Sequence, residues 1–111
     1  MKVGDYVRTK KYGIIKIKKI IKDKDKLELH DENWHYYIYK EDDIVGCSKN
    51  IINLIEEGDY VNGEKVIMVN NFAENPIHYF VNTRKETYYT SDIKSILTKE
   101  QFEFNQHKVG D

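Results

Sequence analysis

The chain has 111 residues, 40% of them apolar, with nine tyrosines, four phenylalanines and one tryptophan. So much bulky apolar matter excludes general disorder, and a net charge of −1 excludes a protein held to nucleic acid by global charge. The single cysteine, Cys47, leaves no intramolecular disulfide and fits a reducing compartment.

In chain order, Gly4-Asp5 reads as a turn into a short strand at Tyr6-Val7, and Gly13 supplies the next turn. From Ile14 to Lys18 apolar residues alternate with lysines, the period-two pattern of a strand with one dry face. The pattern slips at Lys18-Lys19, which predicts a β-bulge. Asp23 to Lys26 is a polar turn, Leu27-Glu28-Leu29 begins a strand, and the aromatic, β-branched run from Trp34 to Lys40 predicts its return partner. Ile44-Val45 follows. Ser48 reads as an N-cap for a helix over residues 49–57, burying Ile51, Ile52 and Leu54 or Ile55 and stopped by Gly58. Then come a strand at Tyr60-Val61, a tight Asn62-Gly63 turn, and a strand from Glu64 to Asn70. A loop ending at Pro76 leads to strands at residues 77–81 and 87–90. Residues 93–97 read as a short strand or 3₁₀ turn. Thr98-Lys99-Glu100-Gln101 fits a capping box, opening a helix to about residue 107 that would bury Phe102.

The order of these signals repeats. Gly4-Asp5-Tyr6-Val7 recurs as Gly58-Asp59-Tyr60-Val61, and similar segments follow each copy. The expected organisation is a β module over residues 1–47, a helical linker over 48–57 and a second module with a terminal helix over 58–111. Residues 1–50 hold twelve Lys/Arg against nine Asp/Glu, whereas 51–111 hold six against ten. Opposite halves of this kind address different partners or attract each other. The N-terminus has no apolar stretch of signal-peptide length and no run approaches a membrane span, so a cytoplasmic protein without membrane contact is expected.

Gly4, Asp5, Val7, Gly13, Ile15 and Ile17, matched by Gly58, Asp59, Val61, Gly63, Val66 and Met68, resemble the opening of SH3-like barrels. The resemblance implies a mainly β fold of two tandem SH3-like barrels with a linking and a terminal helix. Residues 48–63 (SKNIINLIEEGDYVNG) and 93–103 (IKSILTKEQFE) resemble segments in a family of small proteins from Firmicute phages, prophages and their hosts. That family brings no activity or catalytic residue with it. It implies a context in which small accessory proteins bind host machinery, a host protein or ribonucleoprotein, with an anti-defence (anti-CRISPR) inhibitor as the sharpest form.

Chemistry-bearing motifs are sparse. His30 and His35 flank a turn, but no ligand spacing for zinc accompanies them. No nucleophile elbow or phosphate-binding glycine loop is present, and Cys47 is expected to pack rather than react. No enzyme activity, metal or cofactor is therefore expected. Lys16 and Lys18 share a strand face, bordered by Arg8 and Lys22, while Tyr37 and Tyr39 would face outward beside His35. Such a cationic track with aromatic platforms suits a nucleic-acid-binding module. Tyr88-Tyr89 occupies the corresponding place in the second half, and tyrosines also favour protein interfaces. Self-association through unpaired strand edges stays open.

Overall fold

The computed structural model describes residues 1–23, 26–31, 36–39 and 43–103, with backbone alone for Asp23 and for 36–39. The chain is mainly β. Its strands are β1 (Tyr6–Thr9), β2 (Gly13–Lys16), β3 (Lys19–Asp23), β4 (Lys26–His30), β5 (Tyr36–Tyr39) and β6 (Ile44–Ser48), then β7 (Tyr60–Val61), β8 (Glu64–Lys65), β9 (Met68–Asn70), β10 (Phe80–Asn82), β11 (Thr87–Tyr89) and β12 (Ile96–Leu97). They form four three-stranded sheets ordered β2-β1-β6, β3-β4-β5, β8-β7-β12 and β9-β10-β11, with every pairing antiparallel. In each half, the first strand lies between the second and the last, and the middle three form a sheet of their own.

The two Gly-Asp pairs are built alike. Gly4 and Gly58 both have φ +95°, a conformation that glycine alone adopts without strain. Gly4 N–H donates to Ile17 O at 2.8 Å and Gly58 N–H to Val66 O at 3.0 Å; the return bonds, Ile17 N–H to Asp5 O and Val66 N–H to Asp59 O, are both 2.8 Å. Each aspartate accepts from the backbone three residues upstream, Lys2 N–H at 3.0 Å and Glu56 N–H at 2.8 Å. These bonds end the first hairpin of each half and turn the chain from one sheet to the next.

Alternation within single strands feeds two apolar clusters. Val7, Ile15, Ile17, Leu27 and Leu29 form one; Ile52, Ile55, Val61, Val66 and Val81 form the other. Ile14, beside Ile15 but on the opposite face of β2, packs against the second cluster. A strand that serves both clusters ties the halves together.

Several expectations are corrected. The helix over residues 49–57 is only a 3₁₀ turn, Ile51–Leu54, and Ser48 ends β6 rather than capping it. Its backbone groups are taken by partners outside a helical ladder. Leu54 O accepts from Arg8 at 2.8 Å, Glu56 N–H goes to Asp59, and Gly58 N–H goes to Val66 O. Ile55 is extended (φ −81°, ψ 136°), which lets Ile52, Leu54 and Ile55 all be buried. The slip at Lys18-Lys19 is a change of sheet between β2 and β3 rather than a bulge: Ile17 N–H bonds Asp5 O and Lys18 N–H bonds His30 O. The strand expected over 64–70 is interrupted at Val66-Ile67 in the same way. The segment 77–81 opens with a 3₁₀ turn, Pro76–His78, capped by the Asn75 side chain. The capping box does form: Gln101 N–H donates to Thr98 Oγ1 at 3.2 Å and Thr98 N–H to Gln101 Oε1 at 3.1 Å, opening a helix described over 99–103. Phe102 is not buried; it is 36% exposed and its ring stacks on Tyr60 at 5.2 Å.

Candidate binding surface

Arg8 was expected to border the lysine track, and it does the opposite. It is 1% exposed. In β1, Val7 belongs to the first apolar cluster, so Arg8 leaves the strand on the other face, towards the second half. Opposite it in register sits Gly46, and the pairing of β1 with β6 shifts between Arg8 and Thr9. The guanidinium fork meets Asp59 with Nη1 to Oδ2 at 2.5 Å and Nη2 to Oδ1 at 2.8 Å, and Asp59 is fully buried. Glu100 accepts from Nε at 3.2 Å and also from Nη2; Glu56 Oε2 lies 3.2 Å from Nε. Burial opposes ionisation, yet the hydrogen bonds and charges of Asp59 and Glu100 outweigh it and hold the guanidinium above its ordinary value. Asp59 also accepts Lys99 N–H at 2.9 Å, the first amide of the terminal helix, and Lys99 Nζ pairs with Glu56 at 3.1 Å. This cluster joins β1, the 3₁₀ turn and the terminal helix. It is an internal clasp with Arg8 and Asp59 buried at its centre.

The lysines differ among themselves. Lys16 and Lys18 are exposed, and Ile15 and Ile17 beside them are buried, as the alternation implied. Lys16 Nζ sits 5.7 Å from the centroid of the Tyr6 ring, a cation–π distance. Lys22 is exposed too, but it pairs in register with the buried Leu27 and so stands out of phase with Lys19 and Ile21. Tyr37 pairs in backbone register with Leu29 and Tyr39 with Leu27, the buried leucines of β4, whereas Tyr36 and Ile38 pair with His30 and Glu28. The side chains of Tyr37 and Tyr39, and all of His35, lie outside the described residues.

Tyr88 and Tyr89 point to opposite sides of β11. Tyr88 packs against the second cluster, and its hydroxyl donates to Glu64 Oε2. Thr83 Oγ1 donates to Glu64 Oε1 at 2.7 Å. The Tyr88 and Thr83 bonds hold the Glu64 carboxyl below its ordinary value, and the bond to Glu64, with burial, pushes the Tyr88 phenol up to about 12. Tyr89 is 44% exposed, with its ring edge-on to Phe80 at 5.9 Å.

Sequence reasoning passed over two features of the second half. Phe72 is 86% and Ile77 68% exposed, in the connection between β9 and β10. Nothing in the local pattern separates such residues from core residues, because only the tertiary fold decides which apolar side chains are covered. A groove of about 500 Å3 also opens between the β7–β8 turn and the β10–β11 turn, lined by Gly63, Glu64, Lys65, Ile67, Thr83, Arg84 and Lys85. Among the described residues no group of three or more His, Cys, Asp or Glu is placed to hold a metal ion, and no helix is long and apolar enough to cross a membrane. No family model, curated protein or solved structure matches the chain.

Proposed function

We propose that the chain is a non-enzymatic binding protein that engages another protein through the surface of its second half. The fold we infer is two SH3-like barrels in tandem; the recurring sheet order and the matched bonds around Gly4-Asp5 and Gly58-Asp59 support it. The observation that carries the functional reading is the exposure of Phe72 and Ile77, large apolar side chains for which water is a poor environment. The phage-like segments favour a host protein or ribonucleoprotein as partner, with an anti-defence inhibitor as the specific form. Affinity capture from a host lysate with the wild type and with Phe72→Ser/Ile77→Ser tests this: a protein held by the wild type alone is the expected result. A partner retained equally by both disposes of the assigned surface.

A nucleic-acid-binding module is the second reading, favoured by the exposed Lys16, Lys18 and Lys22. With Arg8 withdrawn into the clasp, that track is shorter than the sequence implied. Single-stranded and duplex probes separate the readings. Binding that weakens steeply with salt and is abolished by Lys16→Glu/Lys18→Glu supports the second reading; no binding at low salt removes it.

A further inference from the structure

The groove of the second half has a charge pattern that the whole-chain composition hides. Residues 51–111 contain six Lys/Arg, and three of them, Lys65, Arg84 and Lys85, line this one depression. Three carboxylates of the same half are engaged elsewhere, and the one in the groove is itself hydrogen-bonded. Asp59, Glu56 and Glu100 surround Arg8, and both oxygens of Glu64, the carboxylate in the groove lining, accept hydrogen bonds from Thr83 and Tyr88. Among the described residues, Lys65, Arg84 and Lys85 form no ion pair within 4.0 Å, although the Lys85 charge helps hold the Glu64 carboxyl below its ordinary value.

The cations stand on a preset frame. Thr83 is 6% exposed, and its Oγ1 accepts from Lys85 N–H at 3.2 Å and Glu86 N–H at 3.0 Å while donating to Glu64. Thr83 N–H closes the turn on Glu86 O at 2.9 Å. This one hydroxyl fixes the turn bearing Arg84 and Lys85 against the strand bearing Lys65. Between them Ile67, 48% exposed, supplies an apolar wall.

We propose that this groove docks an acidic segment of the protein partner, with carboxylates meeting Lys65, Arg84 and Lys85 and an aliphatic side chain against Ile67. The proposal rests on the protein-binding reading above and specifies its chemistry. Arginine's planar fork suits a carboxylate, and a volume of about 500 Å3 holds a few side chains. A nucleic-acid strand is the poorer occupant. Among the described residues no aromatic ring lines the groove for base stacking, and the Glu64 carboxylate repels phosphates.

The test is a titration of isotopically labelled protein, followed through its amide resonances. The probes are an acetylated hexapeptide alternating Glu-Leu-Glu, its Gln-for-Glu counterpart, and an oligothymidylate of equal length. The expected result is displacement of the amides of 63–67 and 83–86 by the acidic peptide, with affinity reduced about tenfold or more by Arg84→Glu/Lys85→Glu. Both side chains are exposed, so the variant's unchanged melting temperature shows that its fold is kept. Equal displacement by the Gln peptide overturns the charge assignment, and tighter binding of the oligothymidylate at the same amides overturns the occupant. If the acidic peptide leaves these amides unmoved while a host protein is still captured in a Phe72-dependent way, the groove proposal fails and the protein-binding reading stands. If the wild type captures no protein at all, that reading fails with it.

Discussion

Replacing Arg8 by alanine is the sharpest perturbation of the fold. The change removes both bonds to Asp59, both to Glu100 and the one to Leu54 O. Asp59 stays behind, fully buried, with the Glu56 and Lys99 amides as its remaining donors among the described residues. Stranding a buried charge in this way costs about 3–5 kcal/mol, against roughly 0–1 kcal/mol for an exposed pair. With a urea slope of about 1–3 kcal/mol per molar for a small protein, the unfolding midpoint is expected to fall by about 1 M or more. Arg8→Lys keeps the charge without the fork and should lie between wild type and alanine. Pairing Arg8→Ala with Asp59→Ala is expected to cost less than the sum of the two, because the second change removes the stranded carboxylate. It does not restore wild-type stability, since two backbone amides then lose their acceptor. A loss below about 1 kcal/mol for Arg8→Ala, or strict additivity in the cycle, would refute the clasp as the joint between the halves.

Four further outcomes follow from other contacts. Tyr88 titrates late: its folded value of about 12 exceeds the ordinary 10.0, so the stability it contributes is fully present below about 10 and is lost as pH rises through about 12. Alkaline absorbance of wild type minus Tyr88→Phe should show this phenol, and Glu64→Gln should move it back down; ionisation of every tyrosine together near 10 speaks against the pair. For Glu64 the sign reverses, its contribution being present above the ordinary carboxylate value and lost as pH falls through the depressed folded one. Gly13→Ala is expected to cost about 1–2 kcal/mol from its φ of +72° alone. A Cβ there would also lie 2.3 Å from Gln101 Oε1, so Gln101→Ala in the same chain should recover the clash but not the strain in a urea titration. Thr98→Ala removes the cap of the terminal helix and should cost about 1 kcal/mol by the same measurement.

What the sequence revealed was local. The turn at Gly4-Asp5, the Thr98–Gln101 box, and the burial of Ile15 and Ile17 beside exposed Lys16 and Lys18 all follow from rules acting over a few residues. Arg8 was misread because its partners lie 51 and 92 positions away, and nothing near it distinguishes a clasp from a surface cation. The linker was misread in part for the same reason, since Arg8 lies 46 positions from Leu54, and in part because Asp59 competes locally for the Glu56 amide. Ser48 does accept from Asn50 N–H, as a capping hydroxyl would, but Arg8 and Asp59 take the carbonyl and amide on which a longer helix depends.

Where the partner touches the chain is the point on which the functional reading depends. The most direct measurement places a photo-crosslinking phenylalanine analogue at position 72 in one preparation and at position 18 in another, each irradiated in host lysate. A protein adduct from position 72 and none from position 18 is the expected result. An adduct from position 18 alone, above all one carrying nucleic acid, contradicts it and moves the binding surface to the lysine face of the first half.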